Sequence, residues 1–238
     1  MKVRLRYSKI GKVRFVGNLD VTRIWERSLR KAALPVAYST GFSPRPRLSF
    51  GLALPLAAGS LAEYVDIEFA TDVDLDGLAN RLSDSLPVGF DVMAVAPKLP
   101  GQLSLQEDVV ACDWELELED IPADEVAEAI AGTLAAPTLL LERERKGERR
   151  TDDVRGSIES LELRPGDRTV VAARLATVGR GLRPAELVAV MFPRLGELAG
   201  DAVRSVLRTE QWIERDGARR ELLPVQHVIV APGDLVGA

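Results

Sequence analysis

The sequence predicts an α+β protein built from two similar halves, each with the element order strand–helix–strand–strand–helix–strand (βαββαβ). Stretches that alternate apolar and polar residues, typical of half-buried strands, are interspersed with stretches that place apolar residues at helical spacing. This order occurs twice, on either side of the Pro- and Gly-containing segment 97–101. The chain has 238 residues, 46% of them hydrophobic, which suits two compact units of about 100 residues with cores of their own.

The first half is predicted to cover residues 1–98. It opens with a strand in which basic and apolar residues alternate, and residues 13–16 are expected to continue that strand or to pair with it. An amphipathic helix is predicted from Asn18, a favourable N-cap residue, to the Leu34-Pro35 pair, where proline disfavours further helix. The remaining predicted elements are strands at 36–39, 48–54 and 62–69, a helix at 75–86 and a strand at 88–95.

The second half is predicted to cover residues 109–223, and residues 224–238 are expected to form a loosely attached tail. The charged segment 143–155 is interpreted as a flexible hairpin tip. Element order, rather than residue identity, repeats between the halves, and it is the order of two tandem ferredoxin-like halves with antiparallel sheets. The predicted elements are strands at 114–119, 138–142, 157–163, 169–176 and 203–213, with helices from Pro122 and Pro184.

Composition argues against several classes of protein. No apolar run approaches the roughly 20 residues of a membrane-spanning helix, and the start of the chain does not have the apolar core of a signal peptide. The single cysteine, Cys112, excludes an internal disulfide. With only one histidine, His227, a zinc site built from Cys and His ligands is not expected either. We therefore expect a cytoplasmic protein that uses no metal and no cofactor.

The charges are distributed unevenly along the chain. Residues 1–50 contain twelve Lys or Arg and two acidic residues, a net charge of +10, whereas the remainder carries −15. A basic segment within an acidic protein can attract an anionic ligand to one part of the surface. The alternative is that these basic residues only pair with acidic residues of the same chain.

The most unusual segment runs from Tyr38 to Gly51. Its two prolines predict a short extended rod with Arg45 and Arg47 on one side. An arginine guanidinium donates two parallel hydrogen bonds to phosphate, and Phe42 could stack on a base or anchor the segment on the core. The alternative is a rigid connector with solvated arginines.

A basic face is also predicted on the helix that begins at Asn18. It lies opposite the apolar stripe and close in sequence to Arg14. The alternative is an ordinary solvated face on which Glu26 pairs with Arg30 one turn later. The members of this face are Arg23, Arg27, Arg30 and Lys31.

The sequence contains no recognisable catalytic constellation. It has neither a phosphate-binding glycine loop nor a Gly-x-Ser-x-Gly elbow. Asp152 and Asp153 are adjacent and would face opposite ways on a strand, which makes them a poor acid/base pair. These features favour a binding protein over an enzyme.

Six segments have sequences specific enough to compare with known families: 14–20, 25–32, 37–44, 62–67, 181–186 and 207–209. They resemble the radical-SAM-linked family of unknown function. The resemblance extends along nearly the whole chain and is most specific in the first 70 residues. Members of that family occur fused behind a radical S-adenosylmethionine enzyme domain or as standalone proteins. Their fold is similar to the tandem ferredoxin-like RNA-binding proteins of CRISPR systems, including repeat-RNA endonucleases.

This sequence departs from the family pattern at two sites that matter for chemistry. Asn18 stands where the family has histidine, and 44–47 reads Pro-Arg-Pro-Arg in place of a Pro-His-Pro-Lys-like segment. Both changes remove imidazoles, and the second keeps positive charge, which disfavours histidine-dependent RNA cleavage and favours binding. Segment 152–155 is similar to a family Asp-Leu-Arg motif, and this implies roles for Asp153 and Arg155.

The sequence thus predicts an RNA-binding or RNA-processing accessory protein. One alternative is a protein–protein adaptor for a radical SAM enzyme or ribonuclease encoded elsewhere, which predicts an exposed apolar patch. Another is a small-molecule enzyme that uses the loop from Gly41 to Gly51 as an anion site, which predicts a deep pocket. The candidate anion-binding residues are Arg14, Asn18, Arg23, Arg27, Arg30, Phe42, Arg45, Arg47, Asp153 and Arg155.

Overall fold

The computed structural model of the protein describes residues 1–145, 147–179 and 181–223. It is an α+β protein rich in strands and with few helices. The chain divides into two compact units, of which the first contains Met1–Val109 and residues 213–223, and the second contains Val110–Trp212. The predicted tail 224–238 and His227 lie outside the described residues. Within those described ranges, no helix is both long and apolar enough to cross a membrane.

The first unit has the order strand–helix–strand–strand–helix–strand, but the strand predicted at 36–39 is wrong, because Val36 and Tyr38 form only isolated bridges there. Its strands lie in the order β4–β1–β3–β2, and the neighbouring pairs are antiparallel. Leu5 of β1 lies opposite Val65 of β3 on one side and Val95 of β4 on the other. In chain order the elements are β1 (Lys2–Lys9), a 3-10 helix (Gly11–Phe15), α1 (Asn18–Lys31), β2 (Leu48–Phe50), β3 (Gly59–Glu68), α2 (Leu78–Ser83), β4 (Phe90–Pro97) and α3 (Leu105–Asp108).

The core of this unit forms where α1 packs against the sheet. Val21, Trp25 and Leu29 are buried, as the helical spacing predicted. The ring of Trp25 meets the ring of Tyr7 edge to face, with 5.0 Å between the centroids. Such a contact contributes about 0.5–1.5 kcal/mol beyond the burial of its area. Leu82 of α2 is fully buried in the same cluster.

The arginines of β1 are buried rather than exposed on the polar side of the strand. Arg4 and Arg6 are each 5% exposed. Asp66 accepts two hydrogen bonds from the Arg4 guanidinium at 2.7 and 3.0 Å and also pairs with Lys98 at 2.8 Å. The Nε of Arg6 donates to the carbonyl of Leu61 at 3.1 Å. These two positive charges are used inside the unit, so the basic surface is smaller than the sequence count implies.

The second unit has strands and helices at the other predicted positions, but the strand predicted at 138–142 corresponds to β6, which lies in a separate hairpin. Its sheet has the strand order β10–β5–β9–β8, in which β5 and β8 both pair antiparallel with β9. The strands β6 and β7 form a two-stranded antiparallel sheet of their own. The final residues of β10, together with β11 (Ala218–Glu221), belong to the first unit. The elements are β5 (Val109–Leu118), α4 (Ala123–Ala135), β6 (Leu140–Arg145), β7 (Glu148–Asp153), a 3-10 helix (Arg155–Ser157), β8 (Ile158–Arg164), β9 (Thr169–Ala176), α5 (Pro184–Met191), a 3-10 helix (Pro193–Gly200) and β10 (Val203–Arg215).

The prediction of a strand at 13–16 is wrong. This segment belongs to the 3-10 helix Gly11–Phe15. The buried ammonium of Lys9 donates to the carbonyls of Arg14 at 3.3 Å and Val16 at 2.8 Å. Because these carbonyls turn back toward Lys9, the segment cannot run as an extended strand.

The limits of α1 also differ slightly from the prediction. Gly17 occupies the N-cap position, so Asn18 is the first helical residue. The helix ends at Lys31, three residues before Leu34, and Ala33 has a left-handed φ of 50°. The chain therefore leaves the helix before proline can terminate it.

The described residues of the charged segment 143–155 belong to the β6–β7 hairpin, as predicted, and to the start of a short 3-10 helix. Arg143 is 7% exposed, and its guanidinium donates to Glu186 at 2.6 and 3.0 Å and to the carbonyl of Gly181 at 3.2 Å. It also pairs with Asp152 at 3.4 Å. A charge run usually indicates a solvated face, but here one member of the run anchors the hairpin to the segment that begins α5.

Gly89 provides a test of how the 3-10 helix Gly11–Phe15 is positioned. A Cβ at Gly89, where φ is +96°, would lie 2.5 Å from the carbonyl oxygen of Ile10 and 2.7 Å from Cγ2 of Val13. We expect Gly89→Ala to lower the free energy of unfolding by about 3 kcal/mol or more, from backbone strain and overpacking together. Urea denaturation followed by circular dichroism measures this change.

Gly132→Ala is the matched control. Gly132 lies inside α4 with open space around its Cα, so alanine should raise the free energy of unfolding by about 0.5–1 kcal/mol. Unfolding curves of Gly89→Ala and wild type that coincide would contradict the close approach described here.

Candidate nucleic-acid interface

Residues 37–47 form a loop whose two arms are hydrogen-bonded to each other; we refer to these residues as the arginine–proline loop. Tyr38 and Pro46 form an isolated antiparallel bridge. The backbone N–H of Ser39 donates to the carbonyl of Arg45 at 2.9 Å, and the N–H of Arg45 donates to Oγ of Ser39 at 3.0 Å. The chain bends at 40–43 and returns alongside itself, and the predicted extended rod at the two prolines forms the returning arm.

The base of this loop is attached to the end of β3. The carbonyl of Glu68 accepts from the N–H of Ala37 at 2.8 Å, and the N–H of Glu68 donates to the carbonyl of Arg47 at 3.1 Å. The N–H of Arg47 donates in turn to the carbonyl of Ala37 at 2.9 Å. Two backbone hydrogen bonds thus fix the arms to β3, and the third joins the arms to each other.

The tip of the loop presents an aromatic ring and a cation to solvent. Phe42 is fully exposed, so it does not anchor the loop on the core. Gly41 beside it has a φ of +129°, a conformation that glycine adopts without strain. Arg45 is exposed, and its guanidinium has no ion pair within the described residues. Both side chains are available to a ligand.

Arg47 is exposed, but its guanidinium is already paired with a carboxylate of the same unit. Its guanidinium donates to both carboxylate oxygens of Glu68, at 3.2 and 3.4 Å, and Lys2 pairs with the same carboxylate at 3.5 Å. Partial desolvation raises the pKa of Glu68, but the hydrogen bond from Arg47 and the charges of Lys2 and Arg47 outweigh it, and the pKa lies below its ordinary value. Arg47 must therefore leave or share Glu68 to contact an anion.

The predicted basic face of α1 is exposed but only partly unpaired. Arg23 pairs with Asp20 at 2.9 Å. Lys31 donates to the carbonyl of Asp84 at 3.3 Å. In contrast, Arg27 and Arg30 are exposed and form no ion pair in the part of the chain that the structure describes.

The two remaining candidates of the first unit lie at the start of α1. Asn18 is exposed, and its carbonyl accepts from the hydroxyl of Thr22 at 3.1 Å. The Arg14 guanidinium lies over the ring of Phe15, 4.8 Å from its centroid. Its Nε is buried and has no hydrogen-bond partner.

Asp153 and Arg155 lie in the second unit, where they hold the base of the β6–β7 hairpin. The Asp153 carboxylate accepts from the backbone N–H groups of Leu139 at 2.9 Å and Arg155 at 3.0 Å. These two backbone hydrogen bonds, the one from Leu139 first, lower the pKa of Asp153. The Arg155 guanidinium donates to the carbonyls of Leu134 and Ile158, both at 3.0 Å. These contacts give Asp153 and Arg155 a structural role at the base of the hairpin.

Sequence reasoning missed Glu68, whose backbone and side chain both hold the loop. A signal was present in the complementary charges of β1 and β3. Lys2 lies opposite Glu68, and Arg4 lies opposite Asp66. Alternating basic residues in one strand and acidic residues in another indicate cross-strand pairs, but only the register shows which residues meet.

Three cavities of about 490, 410 and 360 Å³ lie in the second unit. Their walls contain no residue of the arginine–proline loop. In the described ranges, no group of three His, Cys, Asp or Glu side chains is placed to hold a metal ion. These cavities therefore give the loop no pocket of the kind that a small-molecule enzyme requires.

Comparison with known proteins identifies the family. The model of a family described as an uncharacterized protein conserved in bacteria (DUF2344) matches residues 2–184. The chain belongs to this family. No curated protein matches it.

Solved structures give only distant likenesses. A chain in the crystal structure of a Cbf5–Nop10–Gar1 complex is 12% identical, with a TM-score of 0.48 over 88% of this chain and 48% of that one. A chain in the archaeal box H/ACA sRNP Nop10–Cbf5 complex is 13% identical, with a TM-score of 0.39 over 88% of this chain and 47% of that one. The protein thus spans about half the length of these chains. At these TM-scores neither likeness defines a shared fold.

The role of Asp153 can be tested through the pH dependence of stability. Because its folded pKa lies below the unfolded value, the stability it contributes is present above the unfolded pKa of about 3.9 and is lost as the pH falls through the folded pKa. Asp153→Ala should therefore lower the free energy of unfolding by a constant amount between about pH 5 and 7, and this difference should shrink below about pH 4. Urea denaturation at each pH measures it.

Glu148→Ala is the control on the same hairpin. Within the described residues its carboxylate makes an exposed pair with Arg150 at 3.5 Å, so little change is expected at any pH. A deficit in Asp153→Ala that persists unchanged to pH 3 would contradict the assignment.

Proposed function

We propose that this protein binds single-stranded RNA through the arginine–proline loop, as an RNA-binding or RNA-processing accessory protein. The observation that carries the proposal is the pair of exposed side chains at the loop tip, Phe42 and Arg45, on a backbone held by hydrogen bonds to its own arms and to β3. Because the arms are fixed to β3, the backbone of the loop loses less conformational entropy on binding a ligand than an unattached loop would.

The chemistry of the two side chains matches that of an unpaired nucleotide. The Arg45 guanidinium donates two parallel hydrogen bonds to a phosphate. The Phe42 ring offers a face on which a base can stack, at about 1–3 kcal/mol per base. Bases inside a duplex are already stacked on their neighbours, so Phe42 favours single-stranded segments.

Additional cations extend this interface. Arg27 and Arg30 on α1 are exposed and free of ion pairs within the described residues, and they could contact further phosphates. Arg47 also contacts the RNA when a phosphate displaces Glu68 from its guanidinium. Phosphate contacts hold the strand without reading its bases, so little sequence preference is expected.

We also propose a fold for each unit, a protein partner and a cellular location. Both units are taken to be ferredoxin-like, supported by the strand orders β4–β1–β3–β2 and β10–β5–β9–β8 with antiparallel pairs. A radical SAM enzyme or a ribonuclease as protein partner, and a cytoplasmic location, rest on the sequence alone.

Arg45→Ala and Phe42→Ala should weaken RNA binding in distinguishable ways. Each should cost about 1–3 kcal/mol, which is roughly a 5- to 150-fold rise in Kd. Arg45→Ala should also reduce the slope of log Kd against log salt by about 0.7, because one phosphate contact to a single strand is lost, whereas Phe42→Ala should leave the slope unchanged. Fluorescence anisotropy with a labelled 12-nucleotide oligouridine at several salt concentrations measures both quantities.

Arg149→Ala serves as the control for these variants. Arg149 is an exposed arginine of the β6–β7 hairpin with 74% of its side chain accessible, so it removes the same charge at a distant position in the sequence. A wild-type protein that does not bind the oligonucleotide at low salt, or equal losses in all three variants, would reject the proposal.

Glu68→Gln should increase RNA affinity. It removes the carboxylate that holds Arg47, an exposed ion pair worth about 0.2–1 kcal/mol, so Kd should fall by a factor of roughly 1.5–5. Asp91→Asn removes an equal charge from an exposed position on β4 and should have little effect at 0.15 M salt, where charges more than about 8 Å apart are largely screened. Equal gains in the two variants would show a general charge effect and not release of Arg47.

A further inference from the structure

One end of the first unit's sheet presents charged side chains on the face that points away from α1. Val3 and Ile67 are fully buried in the core that β1 and β3 form with α1. Since successive side chains of a strand point to opposite faces, Lys2 and Glu68 lie on the other face. Lys2 is directly opposite Glu68 in the register of the two strands. A cation and a carboxylate therefore lie side by side where β1 begins and β3 ends.

Two cations share the Glu68 carboxylate. The Lys2 ammonium lies 3.5 Å from one carboxylate oxygen, and the Arg47 guanidinium lies 3.2 and 3.4 Å from the two oxygens. The side chains of Lys2 and Arg47 are 59% and 48% exposed. We refer to these three residues as the sheet-end cluster. Its two positive charges and one negative charge leave a net charge of +1, which can attract one anion.

Further carboxylates lie near this cluster in the sequence. Asp66, the next residue of β3 on this face, is buried and already bonded to two other cations. Asp72 and Asp74 are exposed and lie beyond the end of β3. Neither pairs with a cation of the cluster in the part of the chain that the structure describes. Within those residues, the two cations therefore have a single carboxylate as their partner.

Arg45 of the arginine–proline loop lies on the same side as this cluster. The bridge between Tyr38 and Pro46 shows that the returning arm is extended around Pro46. Arg45 and Arg47 flank Pro46, so their side chains point to the same face of that arm, about 6.6 Å apart along it. This distance is comparable to that between consecutive phosphates of an extended nucleic-acid strand. One strand can therefore contact Arg45 with one phosphate and the sheet-end cluster with the next.

The basic face of α1 is on the opposite side of the sheet. Trp25 and Leu29 of α1 are buried against the strands, and Arg27 is exposed on the outer side of this helix. The helix and the sheet thus separate Arg27 from Lys2. A strand held by Arg45 reaches Lys2 without leaving its face of the sheet, whereas it must pass around the sheet to reach Arg27.

We propose that Lys2 and Arg47 form a second phosphate-binding position, which continues the RNA path from Arg45 across the sheet face opposite α1. This inference rests on the proposed RNA binding by the loop and names the direction in which the bound strand runs. A backbone phosphate has two free oxygens, so it can displace the Glu68 carboxylate and accept hydrogen bonds from both cations. The displaced carboxylate is 27% exposed, so water can solvate it.

Salt-dependent RNA binding by the full-length protein tests this direction. The labelled oligouridine 12-mer is titrated with wild type, Lys2→Ala and Arg27→Ala, each of which removes one exposed cation. Lys2→Ala should raise Kd roughly three- to tenfold. It should also reduce the slope of log Kd against log salt by about 0.7, because one phosphate contact is lost. Arg27→Ala should have the smaller effect on both quantities.

A titration with sodium pyrophosphate tests the phosphate position without RNA. The backbone N–H signals of Lys2 and Arg47 are followed by NMR in isotope-labelled full-length protein at constant ionic strength. Glu68→Gln should lower the Kd for pyrophosphate by a factor of roughly 1.5–5, because both cations lose their carboxylate partner. Adding Lys2→Ala to Glu68→Gln should reverse that gain. Asp72→Asn makes the same charge change without touching the cluster and should bind pyrophosphate as the wild type does.

The outcomes separate this inference from the proposed function. A Lys2→Ala variant with the wild-type slope, beside an Arg45→Ala variant with a reduced one, would overturn the inference and leave RNA binding by the loop in place. Equal gains for pyrophosphate in Glu68→Gln and Asp72→Asn would show a general charge effect and no phosphate position at Lys2. A wild-type protein that binds no oligouridine would reject the proposed function, and the pyrophosphate titration then decides the phosphate position alone. Melting temperatures close to wild type confirm that the variants are folded.

Discussion

The attachment of two arms of the chain to Glu68 is the constraint on which the candidate site depends. The backbone of this last residue of β3 bonds to Ala37 on one arm and Arg47 on the other, and these two bond to each other. Its carboxylate adds the ion pairs to Arg47 and Lys2. A strand has little conformational freedom once it is paired with its neighbours in a sheet. The hydrogen bonds to β3 therefore fix the position of the loop's arms. Phe42 and Arg45 are then exposed on a loop whose arms are fixed.

Burial decides which basic residues of the first fifty remain available for binding. Arg4, Arg6 and Lys9 are each at most 5% exposed and are bonded inside the first unit. A buried cation requires a partner, since leaving it unpaired costs several kcal/mol. Arg27 and Arg45 are exposed and keep their charge for solvent or a ligand. The net charge of +10 in residues 1–50, against −15 in the remainder, thus comes partly from basic residues buried in the first unit and partly from exposed ones.

Local patterns predicted the elements well, and long-range contacts account for the errors. The helical stripe of α1 and the alternation of β3 each depend on side chains that share one face, so both elements were predicted correctly. The segment 13–16 was assigned to a strand because nothing in its own sequence shows that Lys9 binds its carbonyls. At the candidate site, Arg45 was predicted from its residue type, but the pairing of Arg47 with Glu68 depends on a partner 21 residues away.

Photo-crosslinking tests the central claim most directly. A 4-thiouridine-labelled single-stranded RNA is irradiated with the full-length protein, and the crosslinked peptides are identified by mass spectrometry. The account predicts that the main crosslinks fall on residues 38–47, with Phe42 as the principal site, and that they disappear in Phe42→Ala. Crosslinks confined to the second unit, or unchanged by that substitution, would contradict the assignment of the RNA interface to this loop.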